Sequence, residues 1–495
     1  MKKNLTDYLI SSGICITVTT ICLMWQEDLQ HWGVIFPVAT GILTGAEINA
    51  WTRKNVNPFD ISFLIGVIGF VGFFISPLMV LSFGDQLVVD GVMMNQSRKW
   101  IGYTCALYFF GYQFFLIGRK IGYRKKVTLR TFWCIDQKFL LLALFVIFIQ
   151  VLCQFIYINS MGGIQGWLKY RTIGSSEGNT VGLGPVMVAA RSLPILYAIY
   201  LTYLMTGLKP GKNKSLISTA VFLASSIAIQ IIVSGLSGSR NSIIYSCIWF
   251  LYLCHIYWRP IGRKAIVAIF SVFFVFMYIV GFYKSLGSGV YDIYKRDENV
   301  NAILEAAPNR NIRNMIIGDL SRVDVNAAQL FILFEKPWEY QYRLGLTYID
   351  SIVPLIPKKI WRTKPTDSGK VIAGTEMLYG PGGYNSRNEI LRYAKGNRST
   401  RIYGLLGEWL LNFGIILFVF PYFICGFIVA RFDSFCNALY AGDARKVLLP
   451  AGIILSFCIF INDFSNHVAF ILYVLAIPLM LLIICTKRMK VVHAV

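Results

Sequence analysis

The stretch KFLLLALFVIFIQVLCQFIYI (Lys138–Ile158) decides the fold class. Its only charge is Lys138, at the very start. Apolar residues fill every face of the stretch instead of alternating with polar ones. A run of about 18 or more such residues is long enough to cross the bilayer core as an α-helix. A membrane β-barrel would show short segments of alternating polarity, which are absent here. Similar runs recur along almost the whole chain, roughly at 9–25, 33–50, 61–81, 99–117, 138–158, 185–206, 216–234, 242–258, 265–283, 404–430, 447–461 and 468–486. The chain therefore reads as an all-α polytopic membrane protein with about twelve transmembrane helices. Composition agrees: of 495 residues, 56% are hydrophobic and 15% charged, and the mean hydropathy is +0.58.

The first run follows Lys2 and Lys3 as a signal peptide would, but no small-x-small cleavage site precedes "MWQEDL", so a retained span is expected. Lys and Arg in short loops set orientation. The turn "GRKIGYRKKVTLR" carries Arg119, Lys120, Arg124, Lys125, Lys126 and Arg130, and "GLKPGKNKS", "WRPIGRK" and "TKRMK" are also basic. The alternate loops "QEDLQHW" and "INDFSNH" carry no Lys or Arg. All the strongly basic loops fall on one side if both termini are cytoplasmic, which makes twelve spans self-consistent.

The net charge of +22 is accounted for by orientation and by anionic headgroups. No nucleic-acid-binding module is visible, so nucleic acid is not expected as a partner. None of the eleven cysteines lies in 284–403, and no C-x-x-C pair occurs, so neither a disulfide framework there nor a thiolate metal site is supported. D-x-D, P-loop and H-E-x-x-H motifs are likewise absent, and no metal or cofactor is expected.

Three regions follow: helices 1–9 over 1–283, one large extracytoplasmic loop over 284–403, and helices 10–12 with a cytoplasmic tail over 404–495. The loop holds 18 Lys/Arg against 12 Asp/Glu. Within it, "NRNIRNMIIGDLSRVDVNAAQLFILFEKP" predicts one or two helices, and "LYGPGGYNSRNE" a glycine-rich loop. A smaller outer loop, "NSMGGIQGWLKYRTIGSSEGNTVGLG", joins spans five and six. No internal repeat is visible, unlike many transporters.

Arginines on the outer side run against the positive-inside bias. Arg240 stands in the turn "SGSR" between spans seven and eight, and Arg191 lies inside span six in "VAARSLPILY". In the large loop are Arg310, Arg313 and Arg322, then Arg387, Arg392, Arg398 and Arg401. Guanidinium bonds phosphate oxygens bidentately and keeps its charge, so such a set suits a lipid pyrophosphate. Snorkelling to headgroups or local ion pairing is the competing explanation: for Arg171 in "LKYRTIG" it is preferred, for Arg240 and Arg191 a functional role is, and a solvated charged face explains any one of the loop arginines. Candidate proton acceptors on the same side are Glu408 in "GLLGEWLLNFG", Asp319 in "GDLSRVD", and Asp463 and His467 in "INDFSNH". Asp319 can equally cap a helix or pair with Arg322. Trp338, Trp361 and Tyr384 stand among the loop's many aromatics, which serve equally as sugar-stacking rings or as an interfacial belt.

Three stretches together resemble the bacterial oligosaccharide repeat-unit polymerases, the Wzy-type O-antigen polymerases. They are the Ser-Gly-Ser-Arg turn at 237–240, "LGLTYIDSIVPLIPKKIWRTKP" (Leu344–Pro365) and "GEWLLNFG" (Gly407–Gly414). The late, large outer loop matches too. The resemblance implies a GT-C-type glycosyltransferase of the bacterial inner membrane. Its substrate would be an undecaprenyl-pyrophosphate-linked oligosaccharide, transferred onto a second lipid-linked repeat unit. It further implies that Arg240 meets pyrophosphate and that Glu408 is the acid of the motif. Membrane lipids, a chain-length regulator and a flippase are the partners such an enzyme would have. The competing expectations are an O-antigen ligase or other lipid-linked glycosyltransferase and, less favoured, a polysaccharide transporter or flippase.

Overall fold

The computed structural model describes residues 4–25, 31–54, 57–82, 86–89, 92–125, 127–164, 166, 183–209, 215–233, 240–285, 321–335, 340–353, 356, 361, 369–379 and 401–490. Among these the chain is mostly helical, and nine helices are long and apolar enough to cross a membrane. They are α1 (Leu5–Met24), α2 (Trp32–Arg53), α3 (Ile61–Leu81), α4 (Ser97–Gly122), α5 (Lys138–Ser160), α6 (Gly184–Thr206), α7 (Leu216–Val233), α14 (Val419–Ala438) and α16 (Phe464–Ile484). Between and beside them lie α8 (Arg240–Tyr257), α9 (Arg263–Ser285), α10 (Val323–Glu335), α11 (Leu346–Asp350), α12 (Gly369–Tyr379), α13 (Gly404–Phe413) and α15 (Leu449–Phe457). Two small antiparallel sheets qualify the all-α expectation: β1 (Gln86–Val89) pairs with β2 (Val92–Asn95), and β3 (Thr131–Ile135) with β4 (Thr486–Lys490).

Three expected spans differ from the sequence reading. The run 404–430 is not one helix: α13 stops at Phe413, and α14 begins at Val419. Gly414 has φ +64, and Leu417 also has a positive φ, so the backbone turns while hydropathy stays high. The indole of Trp409 donates to the Ile416 carbonyl and holds that turn (2.8 Å). The run 447–461 holds only the nine-residue α15 with a short 3-10 turn before it. In span six the helix is interrupted at Ser192, just before Pro194.

The chain packs as two units. The first comprises Met1–Lys126, Arg313–Ser434 and Leu455–Val468; the second, Val127–Ile312, Phe435–Ile454 and Ala469–Val495. The described helices of 284–403 belong to the first unit. Within the first unit, α10 packs on α4, α12 and α13.

In that unit glycines let α4 and α14 approach closely. A Cβ on Gly118 would strike the Phe423 carbonyl, and one on Gly122 would lie 2.7 Å from the Ala430 methyl and 2.8 Å from the Phe427 carbonyl. Gly118 and Gly122 form a small-xxx-small pair, the usual device for close contact where lipid offers no hydrophobic drive. Phe460 sits among Phe73, Phe115 and Tyr422, with ring centroids 5.1, 5.0 and 5.9 Å away. The buried Arg119 joins α4 to Glu47 of α2 (3.0 Å) and Ser62 of α3 (2.7 Å), so neither charge faces lipid alone.

Candidate functional site

The site grows from the start of α13. Gly404 has φ +71, and a Cβ there would lie 2.6 Å from the Phe460 carbonyl, so only glycine fits. The first N–H groups of a helix have no partner within it. Here Asp463 supplies one: its Oδ1 accepts from the N–H groups of Tyr403 (2.7 Å) and Gly404 (2.8 Å). Its Oδ2 accepts from Lys370 Nζ of α12 at 2.7 Å, and both side chains are buried.

One turn along α13, Glu408 returns the arrangement. Its Oε2 accepts from the N–H of Phe464, the first residue of α16 (2.6 Å), and its Oε1 from Thr347 Oγ1 of α11 (3.2 Å). Each acid thus caps the helix that carries or follows the other. A turn further, Asn412 Nδ2 donates to Thr347 Oγ1 (2.7 Å) and to the Glu408 carbonyl (2.8 Å), while its Oδ1 accepts from the Gly345 N–H (3.0 Å). The segment before α11 closes the other end of α13. Tyr340 Oη and the N–H of Arg343 both donate to the Leu411 carbonyl (2.6 and 3.2 Å), and the N–H of Leu344 to that of Asn412 (3.0 Å).

At ten residues α13 is too short to span, and it is not one of the nine span-length helices. Glu408 is 2% exposed. Burial, and then the neighbouring Asp463, push its carboxyl up from 4.5 to about 8; the Phe464 N–H, Lys370 and Thr347 oppose them. A carboxyl poised there can hold or take a proton near neutral pH.

Of the expected site residues, the structure brings Glu408 and Asp463 into one network. His467 is half-buried one turn into α16, and its N–H donates to the Asp463 carbonyl (3.3 Å). Arg322 and Arg401 lie near Asp324 in the first turn of α10, and both lower a carboxyl that burial raises. Trp361 is 39% exposed. Arg191, in the second unit, places its guanidinium over the Tyr473 ring at 4.9 Å. Arg240 is the first residue of α8, and the turn 234–239 before it lies outside the described residues. So do Arg171, Arg310, Arg313, Asp319, Trp338, Tyr384, Arg387, Arg392 and Arg398.

Lys370, Thr347 and Asn412 were not singled out from sequence. Thr347 and Asn412 stand inside two of the quoted stretches, which was a usable signal. Lys370 is one lysine among many in a basic loop, and nothing in sequence distinguishes it. No group of three or more His, Cys, Asp or Glu able to hold a metal occurs among the described residues.

The chain matches no family model, no curated protein and no solved structure. What the fold defines is the class: a multi-pass α-helical protein with the long apolar helices of a membrane protein.

Proposed function

We propose that this chain is a metal-independent polymerase of undecaprenyl-pyrophosphate-linked oligosaccharide repeat units, a GT-C-type glycosyltransferase acting at the outer face of the bacterial cytoplasmic membrane. Its product would be O-antigen or a related surface polysaccharide. One observation carries the proposal. Two of the three stretches that resemble the polymerase family, far apart in sequence, meet through Thr347, Glu408 and Asn412. A chance likeness of short motifs gives no reason for them to share one buried hydrogen-bond network.

Sidedness supports it too. Arg431, near the end of α14, donates to the Lys125 carbonyl, and Tyr123 Oη donates to Asp433 (2.7 Å). The end of α14 therefore lies beside the basic turn after α4. If α14 crosses, its start and α13 belong to the opposite face, which is the outer one when the basic turn is cytoplasmic. Pairing of β3 with β4 requires an even number of crossings between them. Among the described residues five span-length helices lie in that interval, an odd number; a crossing by one of α8, α9 and α15 restores the parity, and all three give the proposed twelve spans.

In the proposed reaction the acceptor hydroxyl oxygen forms a bond to the anomeric carbon of the donor. The bond from that carbon to the pyrophosphate oxygen breaks, and undecaprenyl pyrophosphate leaves with the electron pair. Glu408 takes the hydroxyl proton in its ionised form. Arg240, with other outer arginines, stabilises the charge that develops on the leaving group. Incubating the purified chain in nanodiscs with one defined lipid-linked repeat tests this. A ladder of lengths is expected. No extension, or a single transfer only when lipid A core is added, would overturn it, the latter in favour of a ligase.

A further inference from the structure

The second unit contains a membrane helix whose polarity is inverted. On α5 the exposed face is apolar, with Phe145, Phe148 and Phe155 each at least 60% exposed, while Gln150 and Gln154 are buried at 1% and 5%. The two glutamines are four residues apart, so they share one face. Ser192 Oγ, at the break in α6, donates to the Ala189 carbonyl (3.2 Å) and accepts from Gln150 Nε2 (2.6 Å). That fixes the Gln150 amide, leaving its Oε1 a buried acceptor without a partner; Gln154 Nε2 is a buried donor without one. The inversion recurs on α7, where Ser226 and Gln230 are buried and Ile217 and Ile232 exposed. Buried polar atoms left unpaired cost free energy, and inside a membrane they mark a pathway or a ligand.

We propose that Gln150 and Gln154 form an intramembrane binding site for a hydroxyl-bearing, phosphorylated lipid headgroup. A hydroxyl donates to Gln150 Oε1 and accepts from Gln154 Nε2, satisfying both. The phosphate is met by Arg191, next in sequence to Ser192 and held over Tyr473. At 1.5 Å per residue, Gln154 and Gln150 lie about 9 and 15 Å from the Ser160 end of α5, so the headgroup is drawn below the interface. The hydroxyls come either from a lipid-linked glycan or from the glycerol of phosphatidylglycerol. Only the choice of glycan-lipid probe rests on the polymerase proposal.

The test compares the full-length chain with Gln154→Leu in nanodiscs. Binding of three probes is measured: an undecaprenyl-pyrophosphate-linked disaccharide, undecaprenyl pyrophosphate without sugar, and phosphatidylglycerol. The variant should unfold no lower than the wild type, since it loses an unpaired donor. It should bind the disaccharide lipid about tenfold more weakly, the loss of one buried hydrogen bond, and the sugar-free lipid unchanged. A selective loss for phosphatidylglycerol instead supports the site and assigns the hydroxyls to phospholipid. Equal binding of every probe by both proteins would overturn it, leaving water as the partner of the glutamines. Binding through Gln154 without glycan extension would sink the polymerase and leave this site standing; extension with unchanged binding would do the reverse.

Discussion

Replacing Glu408 by Gln separates the structural role of this carboxyl from its chemical one. The folded-state value is raised from 4.5 to about 8. The native protein thus keeps this proton up to about pH 8, whereas the unfolded chain releases it near the ordinary value. Between those limits the unfolded state binds fewer protons, so stability falls as pH rises, by up to about 1.4 kcal/mol per pH unit. The slope flattens above pH 8. Gln does not titrate. Its carbonyl can accept from Phe464 N–H and its amide can donate to Thr347, so at acid pH the change costs about 1 kcal/mol, one hydrogen bond rearranged. Glu408→Gln should therefore gain on the wild type steadily from pH 5 to 8. Glu408→Ala, which leaves the Phe464 and Thr347 donors unmatched beside a cavity, should lose about 2–4 kcal/mol near pH 5, where the wild-type carboxyl is protonated. Thermal unfolding in nanodiscs from pH 5 to 9 reads this directly. Parallel wild-type and Glu408→Gln curves would refute the raised carboxyl. In the proposed reaction Glu408→Gln should abolish transfer at every pH while lipid-linked substrate still binds, and wild-type turnover should rise toward pH 8.

Arg240→Lys should lose most activity, and Arg240→Ala about 10²-fold or more, because one ammonium cannot reproduce the planar fork; wild-type chain-length ladders from Arg240→Ala would reduce it to a headgroup anchor. Ser368→Cys should react with a membrane-impermeant maleimide in intact spheroplasts, and reaction only after permeabilisation would reverse the sidedness of the loop. Gly407→Ala should destabilise by about 1–3 kcal/mol, since its Cβ would lie 2.6 Å from Gln329 Oε1 and strike Asn326 Oδ1, both on buried residues of α10. An unchanged unfolding temperature would show that α10 and α13 are looser than described.

Sequence revealed the long spans because hydropathy accumulates over twenty residues, as in Lys138–Ile158. It did not reveal the end of α13. Ile415, Ile416 and Leu417 keep the run apolar through the break, and only the positive φ at Gly414 and Leu417 marks it. The β3–β4 pair was hidden for a different reason: its strands are about 350 residues apart in the chain and short, and each alone is a few β-compatible residues beside a helix. Within the site, Glu408 and Asp463 stood out as acids in apolar surroundings. Their partners could not, because four of the donors that hold them are backbone N–H groups or a loop lysine: those of Tyr403, Gly404 and Phe464, and the ammonium of Lys370. Such groups carry no signature in residue type.

Stoichiometry tests the central claim most directly. With a single defined lipid-linked repeat as both donor and acceptor, each new glycosidic bond should release one undecaprenyl pyrophosphate. Counting both by mass spectrometry during the first turnovers of the purified chain should give a ratio of about one, with glycans two, three and more repeats long. Lipid pyrophosphate released without longer glycans, or neither product above the level of Glu408→Gln, would contradict the account.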